Sequence, residues 1–80
     1  MERKKIESLT QNFLIEEMEI EANITDEATL REDLGLDSLD FVDIVVIVEK
    51  TFGFKIKPEE MARVLTVKEF YDYIESRVNA

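Results

Sequence analysis

The sequence contains no cysteine and no histidine, and its 80 residues include only two glycines and one proline. Without cysteine the chain forms no disulfide and has no thiol of its own, so its fold must be stabilised by packing. Without histidine it lacks the commonest general base and the commonest metal ligand at neutral pH. A nucleophilic serine needs a nearby base to activate it. We therefore expect that the protein is not an enzyme.

Long apolar runs are also missing. No stretch is long enough to span a bilayer. No signal peptide is expected, because the first six residues, Met1-Glu-Arg-Lys-Lys-Ile6, contain no apolar run. We expect a cytoplasmic protein without membrane insertion. Its length suits one domain over residues 1–80 with one modest core, and we expect it to be a monomer.

Basic residues are scarce in the middle of the chain, although the formal net charge is −9 overall. Residues 16–49 contain twelve acids and a single base, Arg31. Such a region repels nucleic acid, so we expect no nucleic-acid partner. It favours partners that have basic surfaces. The alternative is that the acidity serves only solubility.

Residues 33–54 form the stretch around which the chain is organised. Six of the eight residues 41–48 are β-branched, which by propensity alone favours a strand. However, no glycine or proline interrupts residues 38–52, and fifteen residues is the length of an ordinary helix. Asp37 is a suitable N-cap with an acid three residues later, and Gly53 suits the left-handed position after a helix. These features predict a helix.

The two sides of this predicted helix differ. At 100° per residue one face is apolar and belongs to the core. Its members are Phe41, Ile44, Val45, Val48 and Phe52. Leu39 and Val46 lie on the opposite face with Asp43 and Lys50 between them. This second face is either a small docking patch or a surface covered by a loop of the same domain.

The first half of the chain predicts one helix and a long connection. Apolar residues recur at helical spacing over residues 2–18. Residues 19–37 follow as a connection, in which Thr29 and Glu32 match a capping box for one short turn. A connection of this length in a small domain is either functional or braced.

Residues after Gly53 predict a short helix that begins at Pro58, because proline suits the first helical position, and ends at about Val64. Thr66 and Glu69 match a second capping box, and Leu65 and Phe70 match a hydrophobic staple.

The last helix is predicted over residues 67–78. The fold class is therefore all-α, a small antiparallel bundle of three longer helices and one short one.

Several acids surround Ser38, which begins the predicted central helix. They are Asp33, Asp37, Asp40 and Asp43. Their spacings of four, three and three do not match a calcium-binding loop, so we expect no dedicated metal site. A serine at this position is commonly only a helix cap. The positive end of the helix dipole also favours a phosphate ester there. Ser38 is therefore a candidate for covalent phosphoryl attachment by another enzyme.

The sequence Asp33-Leu-Gly-Leu-Asp-Ser-Leu-Asp40, followed by an apolar helix that ends Glu49-Lys-Thr-Phe-Gly53, resembles the acyl carrier proteins. Pro58-Glu-Glu60, Thr66-Val67 and Tyr73-Ile74 also fit that family, so the resemblance covers nearly the whole chain.

The resemblance implies an acyl carrier domain whose Ser38 carries 4′-phosphopantetheine, transferred from coenzyme A by a phosphopantetheinyl transferase. The thiol of that arm would hold acyl intermediates of fatty acid, polyketide-like or other specialised lipid biosynthesis as thioesters. The implied partners are acyl-transferring and chain-modifying enzymes with basic docking surfaces. The contacts implied for them are Asp37, Leu39, Asp40, Asp43, Val46 and Glu49.

The cargo is expected to enter the bundle, because exposed alkyl chains are unfavourable in water. The expected cavity lining is Phe41, Ile44, Val45 and Val48, facing the first and last helices. Valine and isoleucine are stiff at χ1, which predicts a narrow cavity for short or medium chains.

Some residues depart from the family pattern. Lys50 stands where common fatty-acid carriers have an acid, and Phe41 stands where a small polar residue is common. These departures favour a specialised pathway over the housekeeping one. Two alternatives remain open, an acidic helical interaction module of the same fold without an arm and a peptidyl or aminoacyl carrier.

Overall fold

The computed structural model describes residues 1–79 and shows four helices. They are α1 (Arg3–Glu16), α2 (Ser38–Phe52), α3 (Pro58–Met61) and α4 (Val67–Val78). Within this part of the chain there is no strand beyond one isolated bridge, Thr29 to Thr66. The prediction of a bundle with three longer helices and one short helix is confirmed. None of these helices is long and apolar enough to cross a membrane.

Helix α2 forms in spite of its β-branched residues because both of its ends are well capped. The Asp37 carboxylate accepts the N–H of Asp40, and the Asp40 carboxylate accepts the N–H of Asp37, each at 3.0 Å. At the other end Gly53 adopts a φ of 82°, and its N–H donates to the carbonyl of Glu49 at 3.0 Å. A residue with a Cβ is strained at that φ, which explains the glycine.

The core lies between the long helices and beneath the connections. Phe13 of α1 and Phe70 of α4 meet edge to face with ring centroids 6.2 Å apart. Ile44 and Val48 of α2 are fully buried, whereas Phe41, Val45 and Phe52 are half-buried at the edge of the core. No buried side-chain polar atom in residues 1–79 lacks a hydrogen-bond partner.

The predicted connection between α1 and α2 is braced over its second half. Its leucines are buried, namely Leu30, Leu34 and Leu36. The short turn at Thr29 is closed by Asp33. The sequence predicted Glu32 as the partner of Thr29, and that prediction is wrong. The Asp33 carboxylate accepts the Thr29 N–H at 2.8 Å, and the Thr29 hydroxyl accepts the Asp33 N–H at 3.1 Å. The turn therefore uses a partner four residues away, one beyond the capping-box spacing.

Helix α3 ends at Met61 and does not extend to Val64. The N–H groups of Arg63 and Val64 donate to carbonyls three residues back, at 3.1 and 3.0 Å. Such tighter turns commonly end a helix. The second capping box forms as predicted, with the Thr66 hydroxyl accepting the Glu69 N–H at 3.2 Å.

Leu65, the residue before that capping box, does not occupy the position predicted for it. Leu65 is 59% exposed although Phe70 is fully buried, so Leu65 does not have the buried position expected of a staple residue.

Candidate functional site

Ser38 is the first residue of α2, and its side chain is exposed. The capping role that a serine often has at a helix start is taken here by Asp37, whose carboxylate bonds to the N–H of Asp40. The Ser38 hydroxyl makes no hydrogen bond with any other group in residues 1–79. It is therefore free to serve as an acceptor of a transferred group.

An open cleft of about 250 Å³ begins beside this hydroxyl and runs between α2 and the segment around α3. Its wall is mainly apolar. The lining residues are Arg31, Ser38, Phe41, Val42, Val45, Pro58, Met61, Ala62 and Val64. An apolar wall of this kind suits an apolar chain, because burial removes such a chain from water.

The four residues expected to line a cavity occupy two different places. Phe41 and Val45 form part of the cleft wall. Ile44 and Val48 are fully buried in the core and do not line the cleft. The cleft is also bordered by α3, whereas the sequence analysis placed the cavity toward α1 and α4. The helical periodicity grouped the four residues correctly on the inner side of α2, but it does not show which of them touch a void.

Arg31 reaches the cleft from the connection that precedes α2. Its guanidinium carbon lies 4.9 Å from the centroid of the Phe41 ring. A cation over an aromatic face at an exposed site contributes about 0.5–1 kcal/mol. Arg31 stands out in the sequence as an isolated base, but its place at the site cannot be predicted from the sequence, because the pairing depends on how the connection folds back over α2.

The outer face of α2 combines exposed apolar and acidic side chains. Leu39 is 77% exposed and Val46 is 46% exposed, and Asp43 and Glu49 are also exposed. Asp37 is exposed as well, whereas Asp40 is half-buried. The two apolar residues therefore point outward, as the helical wheel indicated.

Val42 belongs to the same face and was missed by the sequence analysis. It is 62% exposed and lies between Leu39 and Val46, three residues after the first and four before the second. That spacing places all three on one side of a helix. The signal was thus present in the sequence, although the β-branched run around Val42 suggested burial.

The acids around Ser38 do not form a cluster suited to a metal. Across residues 1–79 no group of three or more acids is placed so that it could hold an ion.

The geometry around Ser38 can instead be compared with what a covalently attached arm requires. It offers an exposed hydroxyl at a helix start, held on a rigid capped helix, with an apolar cleft beside it. These features fit a phosphate ester on Ser38 and a chain that folds back along the protein.

Comparison with known proteins agrees with this fit. Residues 9–74 match the family model described as the phosphopantetheine attachment site, which defines the class of carriers with a covalent arm. The chain is similar to three proteins named acyl carrier protein. The relative from Coprothermobacter proteolyticus is 43% identical over 79 residues, which cover 98% of this chain and 96% of the relative. The relative from Rubrobacter xylanophilus is 37% identical, with 92% of this chain and 93% of the relative covered.

The third relative, from Thermotoga maritima, is 36% identical, and the match covers 95% of both chains. The chain belongs to the acyl carrier protein family.

Membership confirms the predicted class of function. The protein is an acyl carrier that bears a covalently attached 4′-phosphopantetheine prosthetic group. When bound, that group supplies a thiol that the chain itself lacks, and the thiol forms thioesters with acyl groups. The family consists of carriers that interact with a phosphopantetheinyl transferase and with enzymes that handle acyl groups.

Proposed function

We propose that Ser38 is the residue that accepts the arm, and that the protein presents acyl intermediates to enzymes of fatty acid or specialised lipid biosynthesis in the cytoplasm without catalysing a reaction itself. The observation that carries this proposal is the free, exposed hydroxyl of Ser38 at the capped start of α2, next to the apolar cleft. The attachment would form an O–P bond at Ser38 while the pyrophosphate P–O bond of coenzyme A breaks, with the Ser38 proton lost and adenosine 3′,5′-bisphosphate as the leaving group.

The residues around Ser38 have separable roles in this proposal. Asp37 and Asp40 hold the first turn of α2 through their reciprocal bonds at 3.0 Å, so the backbone that carries Ser38 is held in place. The first turn of the helix provides a positive dipole end for the phosphate. Phe41 and Val45 offer an apolar surface to the cargo.

The outer face of α2 is the proposed docking surface for partner enzymes. Its proposed contacts are Asp37, Leu39, Asp40, Val42, Asp43, Val46 and Glu49. The acids would attract basic partner surfaces and speed encounter, since charge complementarity acts mainly on association rates. Three exposed apolar groups in the middle, Leu39, Val42 and Val46, would then be buried in the complex.

An intact-mass measurement tests the attachment residue. The apo protein is treated with coenzyme A and a phosphopantetheinyl transferase, and the mass gain of one arm is sought. The Ser38→Ala variant should gain nothing. Ser8→Ala and Ser76→Ala are matched controls that should be modified fully, because Ser8 lies within α1 and the Ser76 hydroxyl donates to the Tyr73 carbonyl at 2.8 Å. A modified Ser38→Ala protein would overturn the proposal.

A further inference from the structure

Arg31 differs from the arginines that stabilise the fold. Arg3 reaches three carboxylates, those of Glu7, Asp72 and Glu75, at 2.7–2.9 Å. Arg77 reaches Glu60 at 3.4 Å. Arg31 makes no ion pair and no hydrogen bond through its side chain within the described residues 1–79, although it is the only base among the twelve acids of residues 16–49.

Three of the four acids near Ser38 in the sequence already accept hydrogen bonds. The carboxylates of Asp37 and Asp40 each accept a backbone N–H of the capping box. The Asp33 carboxylate accepts the N–H and the hydroxyl of Thr29 at 2.8 and 3.2 Å. Arg31 instead lies over the ring of Phe41. It is therefore a cation held in place by an aromatic platform and not by an anion of this chain.

Arg31, Phe41 and Ser38 line the same cleft. We propose that Arg31 is a positioning residue for the phosphodiester that joins the arm to Ser38. The inference rests on the proposed attachment at Ser38. A phosphodiester keeps one negative charge at neutral pH, and the guanidinium can donate two parallel N–H bonds to its oxygens. The Arg31 N–H donors make no hydrogen bond or ion pair within residues 1–79, so they are available to these oxygens.

This arrangement gives Arg31 a directional role. An arm held by its phosphate at the cleft side of Ser38 would begin beside the apolar part of the cleft wall, which includes Val45 and Met61. Without the ion pair, the repulsion between the phosphate and the surrounding acids would drive the arm away from the protein. Arg31 therefore favours the state in which cargo is held against the carrier.

The test uses the holo protein at low salt, after intact mass has shown that every variant carries one arm. The Nε–Hε resonance of Arg31 is followed by NMR through conversion from apo to holo, with that of Arg63 as the reference. Arg63 is exposed and does not line the cleft. We expect the Arg31 resonance to shift and the Arg63 resonance to stay in place.

Variants provide the second readout, the ³¹P relaxation rate and chemical shift of the phosphodiester. Arg31→Gln should lower the ³¹P relaxation rate and change the chemical shift. Arg31→Lys should retain part of the wild-type relaxation rate. Phe41→Leu should lower the rate, because it removes the ring that holds Arg31 in place. Arg63→Gln, which removes the same charge elsewhere, should match the wild type. Added salt should abolish the difference between wild type and Arg31→Gln.

The outcomes separate the two proposals. A protein that gains no arm, or a Ser38→Ala protein that gains one, defeats the attachment at Ser38. A fully loaded protein whose Arg31 resonance does not move, and whose ³¹P relaxation is the same in Arg31→Gln and Arg63→Gln, defeats the role of Arg31 alone.

Discussion

Thr29 and Thr66 face each other in a single antiparallel bridge that joins the connection before α2 to the turn before α4. Its hydrogen bonds run from the Leu30 N–H to the Leu65 carbonyl and from the Val67 N–H to the Ala28 carbonyl, each at 2.9 Å. Because Arg31 follows directly on this bridge, the bridge fixes one wall of the cleft relative to Ser38. The long connection is thus part of the site.

The docking surface should respond separately to charge and to apolar changes. Asp43→Lys is the cleaner charge reversal, since Asp40 also caps α2. It should slow association with a basic partner enzyme and reduce the salt dependence of the rate. Stopped-flow kinetics over a range of salt concentrations measures both effects. Glu27→Lys, the same reversal on the connection, should change association less.

Val46→Glu places a charge in the apolar centre of that face, and Val42→Glu places one where the face meets the cleft. They should accelerate dissociation while leaving the circular dichroism spectrum and the thermal midpoint unchanged, because both side chains are already exposed. Calorimetric titration against a partner enzyme gives the affinities. Normal affinity in both variants would show that partners dock elsewhere.

The length of the cargo that the cleft accepts should depend on Val45 and not on Ile44. Each CH₂ moved out of water contributes about 0.8 kcal/mol, so thermal midpoints of Ser38-linked acyl species should rise with length and level off when the cleft is full. Val45→Ala enlarges the cleft and should move the levelling point to longer chains.

Ile44→Ala is the matched control for that series. It should destabilise every species alike, by about 2–5 kcal/mol, because it empties a packed site in the core. If the thermal midpoints of Ile44→Ala level off at longer chains than those of the wild type, the cargo enters the core. Midpoints that do not rise at any length would show that the acyl group stays outside.

The two capping boxes should have similar effects on stability. Asp37→Ala and Thr66→Ala each remove a side chain that accepts a first-turn N–H, and each should cost about 0.5–2 kcal/mol. Urea unfolding measures the loss. Asp37→Asn retains an acceptor and should lose much less. Equal stability of Asp37→Ala and the wild type would contradict the capping geometry at α2.

Tyr71 should make the fold sensitive to alkaline pH. Burial raises the pKa of Tyr71 above its ordinary value of 10.0, with smaller contributions from Glu7 and Asp26, while the hydrogen bond from Gln11 and the charge of Arg3 oppose the rise. The folded state therefore holds the proton more tightly than the unfolded state. The resulting stability is fully present below pH about 10 and is lost as the pH rises through the folded pKa.

Urea unfolding at several pH values from about 9 to about 11 tests this sign. The free energy of unfolding should fall over that window, and it should fall less steeply in Tyr71→Phe. Tyr73, whose pKa is also raised by burial, is half-buried, and Tyr73→Phe serves as the comparison. If the free energy of unfolding falls equally steeply with pH in Tyr71→Phe and in the wild type, Tyr71 is not the source of the pH dependence.

The sequence predicted those features that depend on local patterns. The bounds of α2 and α4 followed from capping residues and from Gly53, and the outward position of Leu39 and Val46 followed from helical spacing. Features that depend on long-range packing did not follow. The hydrogen-bond partner of Thr29 is Asp33 and not the predicted Glu32, because the turn there closes over four residues and is bridged to Thr66.

The cleft shows the same limit. Phe41 and Ile44 are both on the inner side of α2, yet only Phe41 borders a void, since the position of α3 decides which residues remain uncovered. The contact between Arg31 and Phe41 joins residues from two segments, and no spacing along the chain encodes it.

The β-branched residues of α2 have a consequence for recognition. A long, flexible side chain loses rotameric freedom when a partner immobilises it, at a cost of about 0.5–1.5 kcal/mol for each side chain. Val42 and Val46 are exposed on a helix, where valine is already confined almost entirely to one χ1 rotamer. A partner that covers them has little conformational entropy to remove. The outer face of α2 is therefore preorganised at these two valines, so that little of the binding free energy gained there is lost to side-chain ordering.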